Sequence, residues 1–240
     1  MTTTLSIDIG GSGLKASALN DAGGFIVPPV RVDTPHPLDP EKLVRALTEL
    51  VQPLPRWDRV AVGFPGVVRR GVIRTAANLG TEAFQGFDLA AALTDALGAP
   101  TRVANDAEVQ GLAAISGTGI ELVITLGTGF GSALFSDGRP CAHLELGHHE
   151  FRKGRTYEEA LGDEALDDVG KRKWRKRLHR AIEQLRVLTD FDRLYIGGGN
   201  ARHLRTATLP PDITVVDNRD GILGGIRLWE NDSHPEGRPA

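Results

Sequence analysis

One layout occurs twice in this chain and constrains its fold more than any other feature. Residues 5–24 read "LSIDIGGSGLKASALNDAGG", and residues 121–138 read "ELVITLGTGFGSALFSDG". Each is an apolar strand, a glycine turn, a second strand of alternating residues and a closing Asp-Gly-type turn. Offset by 117 positions without a gap, Leu5 falls on Leu122, Ile7 on Ile124, Gly10 on Gly127 and Ala16 on Ala133. A P-loop would need its lysine directly after a glycine and then a helix. Here Leu14 intervenes before Lys15, and a strand follows. The Rossmann fingerprint fails for the same reason, since no helix opens after the glycines. One such hairpin is common; the pair points to two related α/β domains, each offering a phosphate-holding turn to a shared cleft.

Helix and strand signals alternate through the rest. Residues 40–51 carry Pro40 at a first-turn position and Leu43, Val44, Leu47, Leu50 and Val51 at helical spacing. "RVAVGF" (59–64) is a short buried strand ending at Pro65-Gly66, and residues 88–97 form a helix with Asp88 as its cap. "TRVAN" leads through Asn105-Asp106 into a helix, and "DRLYIGGGN" (192–200) is a strand ending in glycines. Ligands of open α/β sheets sit where strands end, and Asn105, Gly127 and Gly197 occupy such ends. The expected division is a small N-terminal α/β domain over 1–106, rejoined by a helix at about 220–230, and a large C-terminal α/β domain over 107–219. The polar, proline-bearing stretch 231–240 is expected to be disordered.

Composition excludes several classes. A net charge of -3 over 240 residues argues against coating nucleic acid or a membrane surface. The sole cysteine, Cys141, leaves no intrachain disulfide and no multi-cysteine zinc cluster. With no basic segment before an apolar core, and no apolar run near the ~20 residues of a membrane helix, the expectation is a soluble cytoplasmic protein.

Phosphoryl transfer to an alcohol needs a base near the hydroxyl, a metal for the phosphates and backbone amides around them. Asp8 ends the first strand, where it suits metal or phosphate positioning or, equally, an Asx-type turn; Lys15 can reach the same anion. Asp106 is either a helix cap or a general base at a strand end. "HLELGHHEF" (143–151) packs His143, Glu145, His148, His149 and Glu150 together without the His-Glu-x-x-His zincin spacing. A metal site, a grip on a polyol and a solvated loop all remain open for it. "GKRKWRKRLHRAIEQLRVL" (170–188) places seven Lys or Arg between 171 and 180 on a helix whose other face carries Trp174, Leu178, Ala181, Ile182 and Leu185. That basic face is either solvated, balanced by Asp163, Glu164, Asp167 and Asp168 upstream, or it meets a polyanionic substrate.

In order and spacing these segments resemble the ROK family of sugar kinases, within the actin and hexokinase superfamily, from Leu5 to about Trp229. "DIGGSGLK" and "LGTGFGSAL" are similar to its two phosphate motifs, "TAANL" (75–79) to its sugar-contacting asparagine segment and "ANDAE" to its catalytic Asn-Asp. "LELGHHE" resembles the Glu-x-Gly-His sugar motif and "YIGGGN" the adenosine-side loop. The resemblance implies a two-domain actin/hexokinase-like (duplicated ribonuclease H-like) fold with a central cleft, acting as a homodimer. It makes Asp106 the base for a sugar's primary hydroxyl, with Asn78, Asn105, Glu145, His148 and, by a loose alignment, Glu158 on the sugar. Gly10, Gly11, Ser12, Lys15, Gly127, Thr128, Gly129 and Gly198 would surround the donor phosphates, with Mg2+ at Asp8 directly or through water.

Two departures matter. Where most of the family has a cysteine-rich zinc loop, this chain has "HEFRKGRTYEEALG", so no structural zinc is expected and packing must hold the loop. Only four residues precede the first strand, where the family's regulators carry a DNA-binding helix-turn-helix, so a repressor is not expected. The short form and "TAAN" resemble the polyphosphate-dependent glucokinases of the family. The expected activity is phosphorylation of glucose at its 6-hydroxyl, with polyphosphate or ATP as donor and domain closure to exclude water. The alternatives are a kinase for mannose, fructose or an N-acetylated amino sugar, and a sensor that binds sugar or phosphate without turnover.

Overall fold

The computed structural model describes residues 1–77, 79–204, 209–216 and 220–230. They fall into two compact units, the first made of Met1–Ala113 and the C-terminal helix, the second beginning at Ala114.

The first unit runs β1 (Thr4–Ile9), β2 (Gly13–Leu19), β3 (Val30–Asp33), α1 (Pro40–Val51), β4 (Arg59–Phe64), the small hairpin β5 (Val68–Arg69) and β6 (Val72–Ile73), α2 (Thr81–Phe84), α3 (Leu89–Leu97), β7 (Thr101–Asn105) and α4 (Asp106–Ala114). Its sheet has the order β3-β2-β1-β4-β7. β1 and β2 pair antiparallel as a hairpin, while β4 and β7 join β1 in parallel. Odd residues of β1, Leu5, Ile7 and Ile9, enter the core with Leu43 and Leu47 of α1 and with Phe64 and Phe84.

The second unit runs β8 (Ile120–Leu126), β9 (Phe130–Ser136), β10 (Arg139–Pro140), the 3-10 turn Leu146–His148, the hairpin β11 (Glu150–Arg152) and β12 (Arg155–Thr156), α5 (Tyr157–Leu161), α6 (Asp163–Thr189), β13 (Arg193–Gly197), a second 3-10 turn (Gly199–His203) and β14 (Ile213–Val215). Its sheet order, β10-β9-β8-β13-β14, repeats that of the first, with a central antiparallel hairpin and parallel strands on one flank. The repeat foreseen in the sequence is therefore a repeat of topology, with one slip. Ile7 pairs with Ala16, but Val123 rather than Ile124 pairs with Ala133. The second turn is one residue shorter, so the gapless offset holds for the first strand of each hairpin and fails for the second.

The final helix, α7 (Asp220–Glu230), returns to the first unit and packs on β1 and β4. Ser6 Oγ donates to the Ile222 carbonyl at 2.6 Å, so the even face of β1 lies under α7. The guanidinium of Arg102 sits 4.5 Å from the Trp229 ring centroid. Gly224 lies against the Val109 carbonyl so closely that no side chain fits, which ties α4 to the first unit. The boundary therefore falls after Ala113 rather than at 106, and the N-terminal unit is the larger of the two. Residues 231–240 lie outside the described residues.

α6 is broken at Gly170, whose φ of 72° and ψ of 159° are not helical. The basic run starts just past this kink, and Trp174, Leu178, Ala181, Ile182 and Leu185 are buried along its inner face. The Trp174 indole N–H donates to the Leu161 carbonyl at 2.8 Å, anchoring the helix to the end of α5.

Candidate active site

The two glycine turns share a design. In the first, Gly10 N–H closes the turn on the Gly13 carbonyl at 2.9 Å, and the Gly10 carbonyl accepts from Thr34 Oγ1 at 2.7 Å. The Gly11 carbonyl accepts from His36 Nε2 at 3.1 Å. With the carbonyls taken from outside, the N–H groups of Gly11 and Ser12 have no hydrogen-bond partner among the described residues. Asp8 and Lys15 face each other across the hairpin, with Nζ 3.4 Å from Oδ2.

In the second turn Gly127 N–H closes on the Gly129 carbonyl at 3.1 Å. The Gly127 carbonyl accepts from Asp163 N–H at 2.9 Å and from Asn200 Nδ2 at 3.4 Å. Asn200, only 2% exposed, also donates to Asp163 Oδ1 at 2.6 Å. Here the N–H groups of Thr128 and Gly129 are the ones without a partner among the described residues. Gly198, at φ 87°, lies against the Leu126 backbone where no side chain fits, so "YIGGG" is held to the base of this turn. A turn with two adjacent unpaired N–H groups is a ready anion site. The sequence-predicted donor residues thus gather as two clusters, one within each unit.

"ANDAE" is a reciprocal helix cap. Asn105 Oδ1 accepts from Ala107 N–H at 2.9 Å and Glu108 N–H at 3.3 Å, while Glu108 Oε2 accepts from Asn105 N–H at 3.4 Å. Asn105 Nδ2 donates to the Gly66 carbonyl at 3.1 Å. The Asn105 side chain is thus committed to the start of α4, with one amide hydrogen left for a ligand. Asp106 stands half-buried at the first position of α4, where the helix dipole favours negative charge. Glu108 escaped the sequence reading, although Asn-x-x-Glu before an apolar run is a capping-box signal. Gly66 escaped it too; a methyl group there would run into the Thr75 carbonyl oxygen.

In the second unit Glu145 precedes the 3-10 turn. Its Oε2 lies 3.3 Å from His143 Nε2 and its Oε1 4.0 Å from His148 Nδ1. The hydrogen bond from His143 holds the Glu145 carboxyl below the usual carboxylate range against the opposing effect of burial, with the His143 and His148 charges adding to it. Gly147 fits against the Phe130 carbonyl, where no side chain could, and so seats the Glu-x-Gly-His turn on the start of β9. Glu158 reaches the same residue from α5, accepting from Phe130 N–H at 3.3 Å. His149 and Glu150 serve the neighbouring hairpin through backbone and side-chain bonds to Tyr157 and Gly154. That hairpin, in the place of the family's zinc loop, is held by Phe151 and Phe130 rings 5.2 and 5.3 Å from Tyr157 and by the Thr156–Glu159 capping box. Asn78 lies outside the described residues. No group of three or more His, Cys, Asp or Glu among the described residues could cage a metal ion.

Residues 4–160, carrying both turns, the Asn-Asp cap and the Glu-x-Gly-His turn, match the ROK family. The chain belongs to the ROK family. It is 29% identical over 236 residues to the polyphosphate glucokinase of Mycobacterium tuberculosis, covering 91% of this chain and 88% of that protein. The inorganic polyphosphate/ATP-glucomannokinase of Arthrobacter sp. strain KM superposes with a TM-score of 0.85 at 30% identity, over 96% of this chain and 99% of that one. A ROK glucokinase of Streptomyces griseus, solved with glucose and AMPPNP, is 19% identical with a TM-score of 0.74 over 94% of this chain and 98% of its own, and shares the fold. This ROK chain has the actin/hexokinase-like α/β fold of its neighbours.

Proposed function

We propose that this chain transfers a phosphoryl group from polyphosphate or ATP to the 6-hydroxyl of glucose. It is a sugar kinase by its relatives, and the observation that carries the reading is the pair of turns with unpaired N–H groups, at Gly11-Ser12 and Thr128-Gly129. Such amides stabilise charge on phosphoryl oxygens without reorganising as the transfer proceeds. Asp106 takes the proton of the sugar hydroxyl as its oxygen attacks the terminal phosphorus. The phosphorus–oxygen bond to the donor then breaks, and ADP or a polyphosphate one unit shorter leaves. Glu145 and His148 bind further hydroxyls, with Asn78 and the remaining amide hydrogen of Asn105. Glu158 and Gly198 support the second turn, and Lys15 meets the donor beside Asp8.

Asp8 offers one hard, partly exposed carboxylate, the donor set of a Mg2+ ion that keeps water and phosphate oxygens as its other ligands. Bound there, Mg2+ would neutralise charge on the donor phosphates. The further inference of a cytoplasmic homodimer rests on the family resemblance. Among the described residues no helix is long and apolar enough to cross a membrane.

The test is glucose 6-phosphate formation by the purified chain with Mg2+ and either long-chain polyphosphate or ATP. Product with either donor supports the reading; binding of sugar and donor without product from any hexose would make the protein a sensor. The relative that is a glucomannokinase gives mannose a place beside glucose in the sugar panel.

A further inference from the structure

The second unit concentrates positive charge in a cavity whose lining includes no residue of its glycine turn. This basin, about 630 Å³ in volume, takes Arg152, Lys153 and Arg155 from the β11–β12 hairpin and Lys176, Arg177 and Arg180 from α6. Asp168 is the one carboxylate in the lining. Among the described residues none of the six cations lies within ion-pair distance of a carboxylate, and Arg177 is tied to the Ala160 carbonyl at 3.2 Å. Among the described residues, Asp163, Glu164 and Asp167 upstream of the run make no ion pair with it either. Arg152 and Arg155 stand directly opposite each other across the hairpin, joined by a two-residue turn with Lys153 at φ 54° and Gly154 at φ 73°. Like charges paired across strands are destabilising, and a facing helix of the same sign adds to the cost. An anion in the basin would offset it.

The same helix connects the basin to the donor turn. Asp163 and Asn200, which grip the Gly127 carbonyl, also line a cavity of about 500 Å³ with Lys171, Arg202 and His203. Partial burial and the charges of Lys171, Arg202 and Arg175 hold His203 below its usual pKa, a measure of the positive field there. From Lys171 to Arg180 the helix rises about 14 Å. We propose that the basin is an anion-binding site for the distal part of a linear polyphosphate donor, beyond the phosphoryl group being transferred. This rests on the phosphoryl-transfer reading above and extends it. A nucleotide's negative charge ends at its three phosphates and gives way to a neutral sugar and base, whereas polyphosphate carries charge along its whole length.

The experiment compares the full chain with the variant Lys153→Gln/Arg155→Gln/Lys176→Gln/Arg180→Gln, which leaves the Arg177 bond in place. Binding of fluorescently labelled long-chain polyphosphate is followed by anisotropy without sugar, over a NaCl series, with tripolyphosphate, inorganic phosphate and glucose 6-phosphate as competitors. The variant is expected to bind the long chain about tenfold or more weakly at low salt and with a shallower salt slope. Its affinity for tripolyphosphate and its KM for ATP should stay within about twofold, since both donors engage the turns alone. Equal long-chain affinity in the two proteins would overturn the proposal. So would parallel losses for long and short chains, or displacement of the labelled chain from the wild-type protein, but not from the variant, by inorganic phosphate or glucose 6-phosphate at equal phosphoryl concentration, which would mark a small-anion regulatory site. Because the anisotropy measurement involves no turnover, it decides the basin's role even where glucose phosphorylation fails with every donor.

Discussion

Glu158 accepts a hydrogen bond from the Phe130 N–H at 3.3 Å, reaching from α5 to the residue that ends the second glycine turn. Phe130 also packs its carbonyl against Gly147, so one residue links the turn with the Glu-x-Gly-His segment. Removing the acceptor in Glu158→Ala leaves that N–H unpaired at a half-buried site, a loss of about 1 kcal/mol. For a chain of this size that is a fall in Tm of about 2–4 °C. Donor KM should rise with it as the turn loosens. Glu158→Gln keeps a carbonyl acceptor, and its Tm should stay within about 1 °C of wild type. A Gln variant that melts normally but has a sharply raised hexose KM would instead make Glu158 a sugar ligand. Melting curves and steady-state KM values for donor and hexose separate the two.

Asp106 and Asn105 are neighbours to which the proposed mechanism gives different tasks. Asp106→Asn is expected to fold, to bind hexose and to lose about 10²–10⁴ in kcat, the range a positioned base supplies. Asn105→Ala removes the acceptor for two N–H groups of α4 and the donor to Gly66, and should cost about 1–2 kcal/mol of stability. Chemical denaturation and kcat measured on both variants test the division. Near-normal turnover in Asp106→Asn would remove it from the role of base.

Much of this was legible locally. Both hairpins, the helix capped by Asp88 and the apolar face under Trp174 follow from patterns a few residues long. What could not be read depends on contacts between distant segments. The partner of Ala133 is set by a turn one residue shorter than its counterpart, which a gapless offset cannot register. The domain boundary depends on α4 packing against Gly224, more than a hundred residues later. The basic run alone could not decide between a solvated face and a polyanion's partner, because the hairpin that lines the same cavity lies before α6 and carries its own arginines. Glu108 is the exception, since the Asn105-x-x-Glu108 spacing of its reciprocal cap is local.

Gly66 has no substitute at its position. A methyl group would meet the Thr75 carbonyl oxygen, which is backbone and cannot swing aside, so the Pro65-Gly66 turn must move. The Gly66 carbonyl that holds Asn105 moves with it. Gly66→Ala should cost about 2–3 kcal/mol in urea denaturation, as overpacking of a rigid site does. Gly80→Ala is no simple control, since Gly80 has φ 99°; Gly199→Ala, with open space around its Cβ position, is the better comparison and should cost far less.

If Glu145 accepts sugar hydroxyls as proposed, its pairing with His143 sets the acid limit of hexose binding. The His143 hydrogen bond, helped by the charges of His143 and His148, lowers the folded pKa of Glu145 below 4.5, and burial opposes it. A depressed carboxyl pKa stabilises the folded, ionised form; that contribution is complete above the unfolded value and disappears as pH falls through the folded one. With Glu145 ionised as the hydroxyl acceptor, hexose KM should stay level from neutral pH down to about 5 in the wild type. In His143→Ala the main source of the depression is gone, so the rise in hexose KM should begin at higher pH than in the wild type. His143→Gln, which restores an N–H donor, should move the onset part of the way back. Hexose KM measured from about pH 4.5 to 8 on the three proteins reads this directly, and coincident profiles would mean that Glu145 does not carry the sugar's hydroxyls.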